Sequence, residues 1–546
     1  MSLGQTPKQG EMWRSTSAYC EAKLSPTSIY GLLHRECHRL FPDEAFADLF
    51  RDIGRRSIPP RIVAVVMVLQ RLEGLSDREA VERFSFDIRW KYAAGGLDFE
   101  YPGFVHTVLV DMRERLRQSK DPDRLFRTVL DVAKAAGLVG RRRVLDSTPL
   151  YDAVATQDTV TMIRSAIRAL LRAAGDEHAA ELRGVLKRDD DYSTAGKPAC
   201  DWEDRAAREA LVDELARDAY ALLAHLDGRV LAVPVREAAA LLATVAGQDL
   251  EQTEDGTFRI ARRVAPERVL STVDPQARHG HKTQARGFDG YKGHIAMDPD
   301  SELITSSTVT PGNAADGSVA KELLKEALET EAPKQHEQQT EEAILAALGE
   351  ENAPLAREPL EVYGDSSYGT GEVLEHLESA GAAAHVKVQA PASPDGQFTK
   401  DAFHIDLKSD TVTCPAGQLV QIRRRKDGSG VGSFGARCGK CWLAASCTKS
   451  KEGRNVTVNR REHLLQQART RQKSPAWRAG YKATRPKVER KLAHLMRRRH
   501  GGRRARVRGT ERVTHDFTML CAAENLRRLA ALGLRHEEGS RTRWAV

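Results

Sequence analysis

Five short apolar stretches set the limits on what this 546-residue chain folds into. They lie at 143–147 (RVLDS), 290–297 (GYKGHIAM), 303–310 (LITSSTVT), 360–364 (LEVYG) and 385–388 (HVKV). Their length and their Val, Ile, Thr and Tyr content predict strands. The polar turn at 299–301 predicts a hairpin joining the second to the third. Helical sequence at 317–329 and at 371–380 follows strands three and four. Strands alternating with helices, some joined as hairpins, call for a mixed α/β layer fold.

The rest of the chain reads as helix or as insertion. Residues 1–125 form a helical N-terminal domain. Within it, 61–72 (RIVAVVMVLQRL) is apolar on a broad face, the turn Glu73-Gly74-Leu75-Ser76 follows, and Ser76 with Glu79 makes a capping box for the next helix. Helix, turn, helix fits either a DNA-reading motif or a packing and dimerisation hairpin. A helical insertion occupies about 158–265, broken by a loop at 187–204. The polar, Gln/Glu-rich stretch at 321–355 reads as a surface linker. No internal repeat is present.

Charge separates the chain into two parts. From Lys451 to the end there are 26 Lys/Arg against 8 Asp/Glu, and the first 450 residues carry 58 against 68. Between Tyr481 and Arg508 stand twelve cations and one acid, Glu489. So basic a run is built to hold phosphates. A carboxylate inside it weakens that grip unless it ligates a divalent cation acting on those phosphates, the other reading being an intrahelical partner for its neighbours. The longest apolar run, 62–69, is far short of a membrane span, and the N-terminus has no signal-peptide stretch, so the reading excludes a membrane and places the protein in the cytoplasm.

Of eight cysteines, Cys20, Cys37, Cys200 and Cys521 are scattered. Cys414, Cys438, Cys441 and Cys447 cluster between 396 and 469. The C-x₂-C pair has the shape of a zinc knuckle, Cys447 supplies a third thiolate, and a hairpin at 411–423 returns Cys414 as a fourth. Such a site is structural, a Zn²⁺ ion holding a module with little apolar core of its own. A redox pair at Cys438 and Cys441 is the other reading.

Two further acids, Asp146 and Asp365, end predicted strands. With Glu489 they supply carboxylates from three elements, the donor set that two-metal phosphoryl chemistry uses with hard ions such as Mg²⁺ or Mn²⁺. Their contexts, Val144-Leu145-Asp146-Ser147-Thr148 and Gly364-Asp365-Ser366-Ser367-Tyr368-Gly369, resemble those of the insertion-sequence DDE transposases, as do Gly290-Tyr291-Lys292-Gly293-His294, the stretch from Thr310-Pro311-Gly312-Asn313 to Asp316, and Asn525-Leu526. Tyr481, Arg485 and Glu489 resemble the family's Tyr–Arg–Glu–Lys signature. Arg485 comes one place late in it, and Met496 stands at the Lys position, where Arg497 or Lys491 could substitute. The chain looks closest to the branch numbered eleven eighty-two.

The resemblance implies an RNase H-like core assembled from 126–320, 356–395 and 470–546, interrupted by the helical insertion and the zinc-type cysteine module. It implies cleavage at the inverted-repeat ends of an element and joining of the 3′-ends to target DNA. Mg²⁺ (or Mn²⁺) would be held by Asp146, Asp365 and Glu489. The DNA-contacting set would be Tyr481, Arg485, Lys487, Arg490, Lys491, Arg497, Arg498, Arg499, Arg503, Arg504, Arg506 and Arg508. Partners would be double-stranded DNA and a second copy of the chain on synapsis, at a bacterial nucleoid. A DNA-binding protein that has lost catalysis and a metal-dependent nuclease on the same core are the alternatives. Pro486 leaves two placements for Glu489: at the start of a helix, or on one face with Tyr481 and Arg485 in a helix that begins earlier.

Overall fold

The computed structural model describes residues 15–51, 54, 56–152, 156–190, 192–283, 286–329, 359–392, 396–537 and 543–546. Its central sheet has six strands: β1 (Arg142–Tyr151), β2 (Arg278–Thr283), β3 (Arg286–Met297), β4 (Ile304–Pro311), β5 (Glu361–Gly364) and β6 (Ala383–Val386). β1 pairs antiparallel with β3, which pairs antiparallel with β2 and β4. On its other side β1 pairs parallel with β5, and β5 parallel with β6. The hairpin expected between the second and third stretches is the β3–β4 pair. β2 falls where the sequence suggested only polar groups.

Alternation along β1 sends side chains to two cores. Val144 packs with Ile295, Val488, Leu492, Phe517 and Leu520 on one face of the sheet. Leu145 packs with Ala296, Val319, Leu323, Val362 and Leu377 on the other. Burying each such side chain stabilises the fold by about 1.5–3 kcal/mol. The result is a three-layer α/β/α arrangement. The helices that follow strands, at 320–329 and 371–379, cover the Leu145 face, and helices at 124–135, 475–495 and 510–532 cover the Val144 face.

The N-terminal region is helical as expected, with α1 (Thr16–Glu21), α2 (Ile29–Leu40), α3 (Pro60–Glu73), α4 (Asp77–Phe86), α5 (Ile88–Ala93), α6 (Thr107–Gln118) and α7 (Arg124–Ala135). Both halves of the capping box form: Ser76 Oγ accepts from the Glu79 N–H, and the Glu79 carboxylate accepts from the Ser76 N–H. Gly74 ends α3 at φ 69°, and a Cβ there would lie 2.4 Å from the Arg499 carbonyl oxygen. Positive φ and the close approach of the basic run both require glycine at this turn.

The insertion comprises α8 (Thr159–Arg183), α9 (Arg205–Leu226), α10 (Val233–Asp249) and a short hairpin, Leu250–Gln252 with Phe258–Ile260. It has a core of its own, centred on Ile167, Leu215 and Leu242. Further helices are α11 (Ala320–Glu329), α12 (Gly371–Ser379), α13 (Glu462–Arg471), α14 (Pro475–Leu495) and α15 (Thr510–Leu532), with one short turn of helix at Ala444–Cys447. α15 joins the ends of the chain. Its Met519, Ala523, Leu526 and Leu529 complete the N-terminal core, and Asn525 pins it to β4 by accepting from the Ile304 N–H and donating to the Ile304 carbonyl, at 2.8 and 2.7 Å.

The cysteine-bearing segment is a five-stranded antiparallel sheet, β7 (His404–Asp406), β8 (Thr411–Thr413), β9 (Leu419–Arg424), β10 (Gly430–Ser433) and β11 (Asn455–Val458), paired in chain order. The polar linker read at 321–355 lies outside the described residues from 330 onward. Among the described residues no helix is long and apolar enough to cross a membrane.

Candidate active site and cysteine cluster

Register places two of the three acids side by side. The parallel pairing of β1 with β5 ends at Val144 opposite Tyr363. Asp146 and Asp365 each follow by two residues, so they keep the face of Val144 and Tyr363 on neighbouring chains about 4.8 Å apart. Asp146 is not at a strand end, as its sequence suggested. β1 continues to Tyr151 because β3 pairs with it along the whole length. On the β5 side, among the described residues, no strand pairs with β1 between Leu145 and Leu150, so the N–H that Pro149 lacks is not needed for a ladder there.

The third acid arrives on α14, which covers that face. Ser474 caps the helix through its Oγ, Pro475 occupies the first turn, and the helix runs through Pro486. Of the two placements the sequence left open, this is the earlier start. Tyr481, Arg485 and Glu489 therefore follow one another at intervals of four on one face.

Arg485 stands at the centre. Its guanidinium lies 2.9 Å from Asp146, 3.7 Å from Asp365 and 3.5 Å from Glu489. It is 7% exposed, and its Nε and Nη1 are buried without a hydrogen bond. Glu489 is 63% exposed on its side chain and Asp365 38%, so both are free to turn. Burial pushes the Asp146 carboxyl up to about 6, Arg485 and the Ser147 N–H pull it down, and Asp365 adds to the rise. Burial works against the Arg485 cation, but Asp146 and then Asp365 outweigh it and hold its pKa above the ordinary value.

The residues fit a divalent cation in donor type, all being carboxylate oxygens converging on one positive centre. They do not form a finished shell. Among the described residues no three His, Cys, Asp or Glu side chains lie close enough together to hold an ion as they stand. The guanidinium occupies the space between them.

Beneath the acids lies a group that sequence reasoning named only as motif text. Asp316 accepts from Ser147 Oγ at 2.8 Å and pairs with Lys292 at 2.9 Å. His294, fully buried, meets Thr310 Oγ1 at 2.9 Å and the Tyr368 hydroxyl at 3.3 Å. Burial takes the His294 imidazole down to about 4, opposed by Asp316. These residues link β1, β3, β4 and the turn after β5. Trp477 was also missed: its indole stacks on Tyr481 at 4.8 Å, and the Tyr481 hydroxyl donates to the Gly364 carbonyl. The i, i+4 spacing of the two aromatics was the available signal.

The basic run divides by burial. Arg490, Arg497, Arg498, Arg499, Arg503, Arg504 and Arg508 are exposed, and Tyr481, Lys487 and Arg506 half-buried. Lys487 pairs with Asp300 at 3.6 Å and Arg490 with Glu302. Lys491 is 1% exposed, and burial lowers its pKa to about 8 against the pull of Glu524 and Glu302. It faces the interior in this conformation. The tail docks on β1, where the Tyr151 N–H donates to the Arg503 carbonyl and the Ala505 N–H to that of Tyr151.

The cysteine cluster assembles around one cavity. Cys414 opens the turn of the β8–β9 hairpin, whose strands pair as Thr413 opposite Leu419. It lines a space of about 20 Å³ with Cys438, Cys441 and Cys447. All four are free thiols. Burial raises the Cys447 thiol, Arg454 lowers it, and the other three cysteines raise it again. The Arg454 N–H points at Cys438 Sγ, 3.4 Å away. Four soft donors around an ion-sized space match zinc in chemistry, although they too must close further to ligate.

Two family models match the chain. One is described as Transposase DDE domain and covers residues 413–530. The other is described as Transposase domain (DUF772) and covers residues 23–115. The first spans all four clustered cysteines and Glu489; Asp146 and Asp365 fall between the two matches. No curated protein and no solved structure matches the chain.

Proposed function

The chain matches an insertion-sequence DDE transposase through both an N-terminal and a C-terminal domain, and from that premise we propose that it cuts DNA at the inverted-repeat ends of its element and joins the 3′-ends to target DNA. One observation carries this reading: carboxylates from a strand, a strand end and a helix converge on a single cationic centre beside a basic run. The strand order β4-β3-β1-β5-β6, antiparallel then parallel, supports an RNase H-like core.

Asp146, Asp365 and Glu489 would hold Mg²⁺ or Mn²⁺. Such ions, when bound, supply Lewis acidity that activates a water or 3′-hydroxyl and stabilises the leaving oxygen. The chain's own residues do the rest. Asp146 is anchored by the sheet and its Ser147 N–H bond. Glu489 turns inward from its exposed rotamer. Arg485 leaves the acids and turns its unpaired donors to a phosphate of the gripped strand. The Trp477–Tyr481 stack offers a flat face to a base. Exposed arginines at 490, 497–499, 503, 504 and 508 fix the backbone. A second copy of the chain is needed to bring two ends together, in the cytoplasm of a bacterium, where its DNA lies.

The test is incubation of purified protein with Mg²⁺ and DNA carrying the flanking repeats of its own locus. Nicks at the repeat ends and covalent joints to a target plasmid are expected. Nicks without joints would mark a nuclease, and neither would end the reading.

Two further outcomes follow from the titratable groups. Asp146 must be ionised to ligate, and its carboxyl sits at about 6. Mn²⁺ affinity measured by calorimetry between pH 5 and 8 should be flat above about 7 and fall by up to about tenfold per unit below about 6. The metal-free fold shows the opposite trend. Burial makes the ionised form the costly one, so stability is greatest with Asp146 protonated and declines as pH rises from about 4 through about 6. For the cysteine cluster, metal analysis should find about one Zn²⁺ per chain. Cys441→Ser should lose it and lower the unfolding temperature, and an undiminished zinc content would count against the assignment.

A further inference from the structure

Where the N-terminal helices meet α15 there is a cavity of about 370 Å³ with an unusual lining. Arg71, Arg113, Arg117, Arg506, Arg512 and His515 all face it. Three carboxylates share the space. Asp77 takes Arg113 at 2.5 Å, Asp516 takes Arg71 at 3.1 Å, and Glu114 takes Arg117. Two guanidiniums are left over. Among the described residues Arg506 and Arg512 form no ion pair, and Arg506 donates only to the Leu75 carbonyl. His515 is 10% exposed on its side chain, and both its ring nitrogens are buried without a hydrogen bond, the nearest acid being Asp123 at 3.5 Å from Nδ1.

The cavity is partly open, with Arg512 exposed and Arg506 half-buried, and the lining atoms buried without a hydrogen bond are the two ring nitrogens of His515. Each buried donor lacking a partner costs about 1–3 kcal/mol. Burial pulls the Arg506 pKa below its ordinary value, with Asp516 opposing. Its half-buried walls screen charge less than bulk water does, which strengthens attraction for an anion of matching size. Guanidiniums present paired donors suited to phosphate oxygens. The volume exceeds a lone phosphate and accommodates one with its sugar attached.

We propose that this cavity is a phosphate-binding site, taking one phosphate group with its attached sugar between α3, α6 and α15. It is built half from the segment matched at 23–115 and half from that matched at 413–530, so an occupant ties the two together. The phosphate has two possible sources, a DNA backbone or a free nucleotide, and the chemistry of recognition is the same for both.

The full-length chain is titrated at constant ionic strength with AMP, with inorganic phosphate and with a duplex lacking element ends. Binding is read by thermal shift and calorimetry. Two variants are compared: Arg512→Gln removes a charge, and Val110→Trp, at a position 45% exposed on the rim, fills the space without changing charge. Asp365→Ala serves as a control that alters only the acid site. Expected is a loss of about ten- to a hundredfold in affinity for at least one probe in both variants, retained in Asp365→Ala. Loss for AMP or phosphate assigns a free nucleotide, and loss confined to the duplex assigns a backbone phosphate. Val110→Trp binding all three probes like the unaltered protein overturns the proposal, because general surface charge would then account for any effect of Arg512→Gln. No probe binding at all overturns it equally.

Discussion

Asp365→Ala should abolish Mg²⁺-dependent cutting at element ends while leaving end binding and folding nearly intact. The acid follows β5 at an open edge. Its structural work is small: Oδ1 accepts from the Ser367 N–H at 2.9 Å, a turn contact. Losing that contact costs about 0.5–1.5 kcal/mol. Its electrostatic work is larger. A carboxylate that helps hold a cation contributes several kcal/mol to stabilising charge in the transition state, and each 1.36 kcal/mol is about tenfold in rate. A fall of at least about a thousandfold in single-turnover cleavage is therefore expected. Gel-shift affinity should stay within about threefold, because the phosphate grip lies on α14 and the tail. Asp365→Asn keeps an oxygen to accept from the Ser367 N–H and loses only the charge, so it should cut as poorly as Asp365→Ala. Wild-type cleavage by Asp365→Ala, or by Glu489→Ala, would remove the acids from the mechanism.

What the sequence disclosed was whatever depended on local pattern. Four of the five apolar stretches correspond closely to β1, β3, β4 and β5, because β-branched runs bounded by turn residues are read from neighbours alone. The fifth overlaps β6 at His385 and Val386. The capping box at Ser76 and Glu79 and the hairpin that carries Cys414 were legible for the same reason. What depended on distant partners was not. Asp146 looked like a strand end because Thr148-Pro149 breaks most strands, and only pairing with β3 as far as Tyr151 carries the strand past it. β2 has almost no apolar pattern, with His279 held by Asp289 at 2.7 Å, and gains its strand character from the β3 edge. Lys491 and Arg485 read as surface cations like their neighbours. Burial against Glu524 and Glu302 in one case, and against Asp146 in the other, was set by how α14 lies on the sheet. A helical period cannot say which cation of a basic run turns inward.

Arg485 is where that hidden orientation has the largest thermodynamic consequence. The guanidinium is the counter-charge to Asp146 while no ion is bound. With side chains 9% and 11% exposed, the pair is shielded from solvent. Arg485→Met removes the cation and leaves Asp146 beside Asp365 with no positive partner. Breaking a buried pair by deleting one member costs about 3–5 kcal/mol. The metal-free variant should accordingly unfold at lower temperature above pH 7, and recover part of the loss at pH 5, where Asp146 takes up a proton in place of the missing charge. A divalent ion should replace the guanidinium better than a proton does. In the unaltered protein an entering ion must displace Arg485, whereas in Arg485→Met the space is already vacated. Mn²⁺ should thus bind the variant more tightly, by about tenfold or more, and raise its unfolding temperature further than it raises that of the unaltered chain. DNA affinity should move the other way, since the donors that would turn to a phosphate are gone. Thermal unfolding with and without Mn²⁺, at pH 5 and pH 8, reads all of these without any cleavage assay. Equal Mn²⁺ affinity in the two proteins would mean that the guanidinium does not stand in the ion's place, and the acids would then have to gather elsewhere.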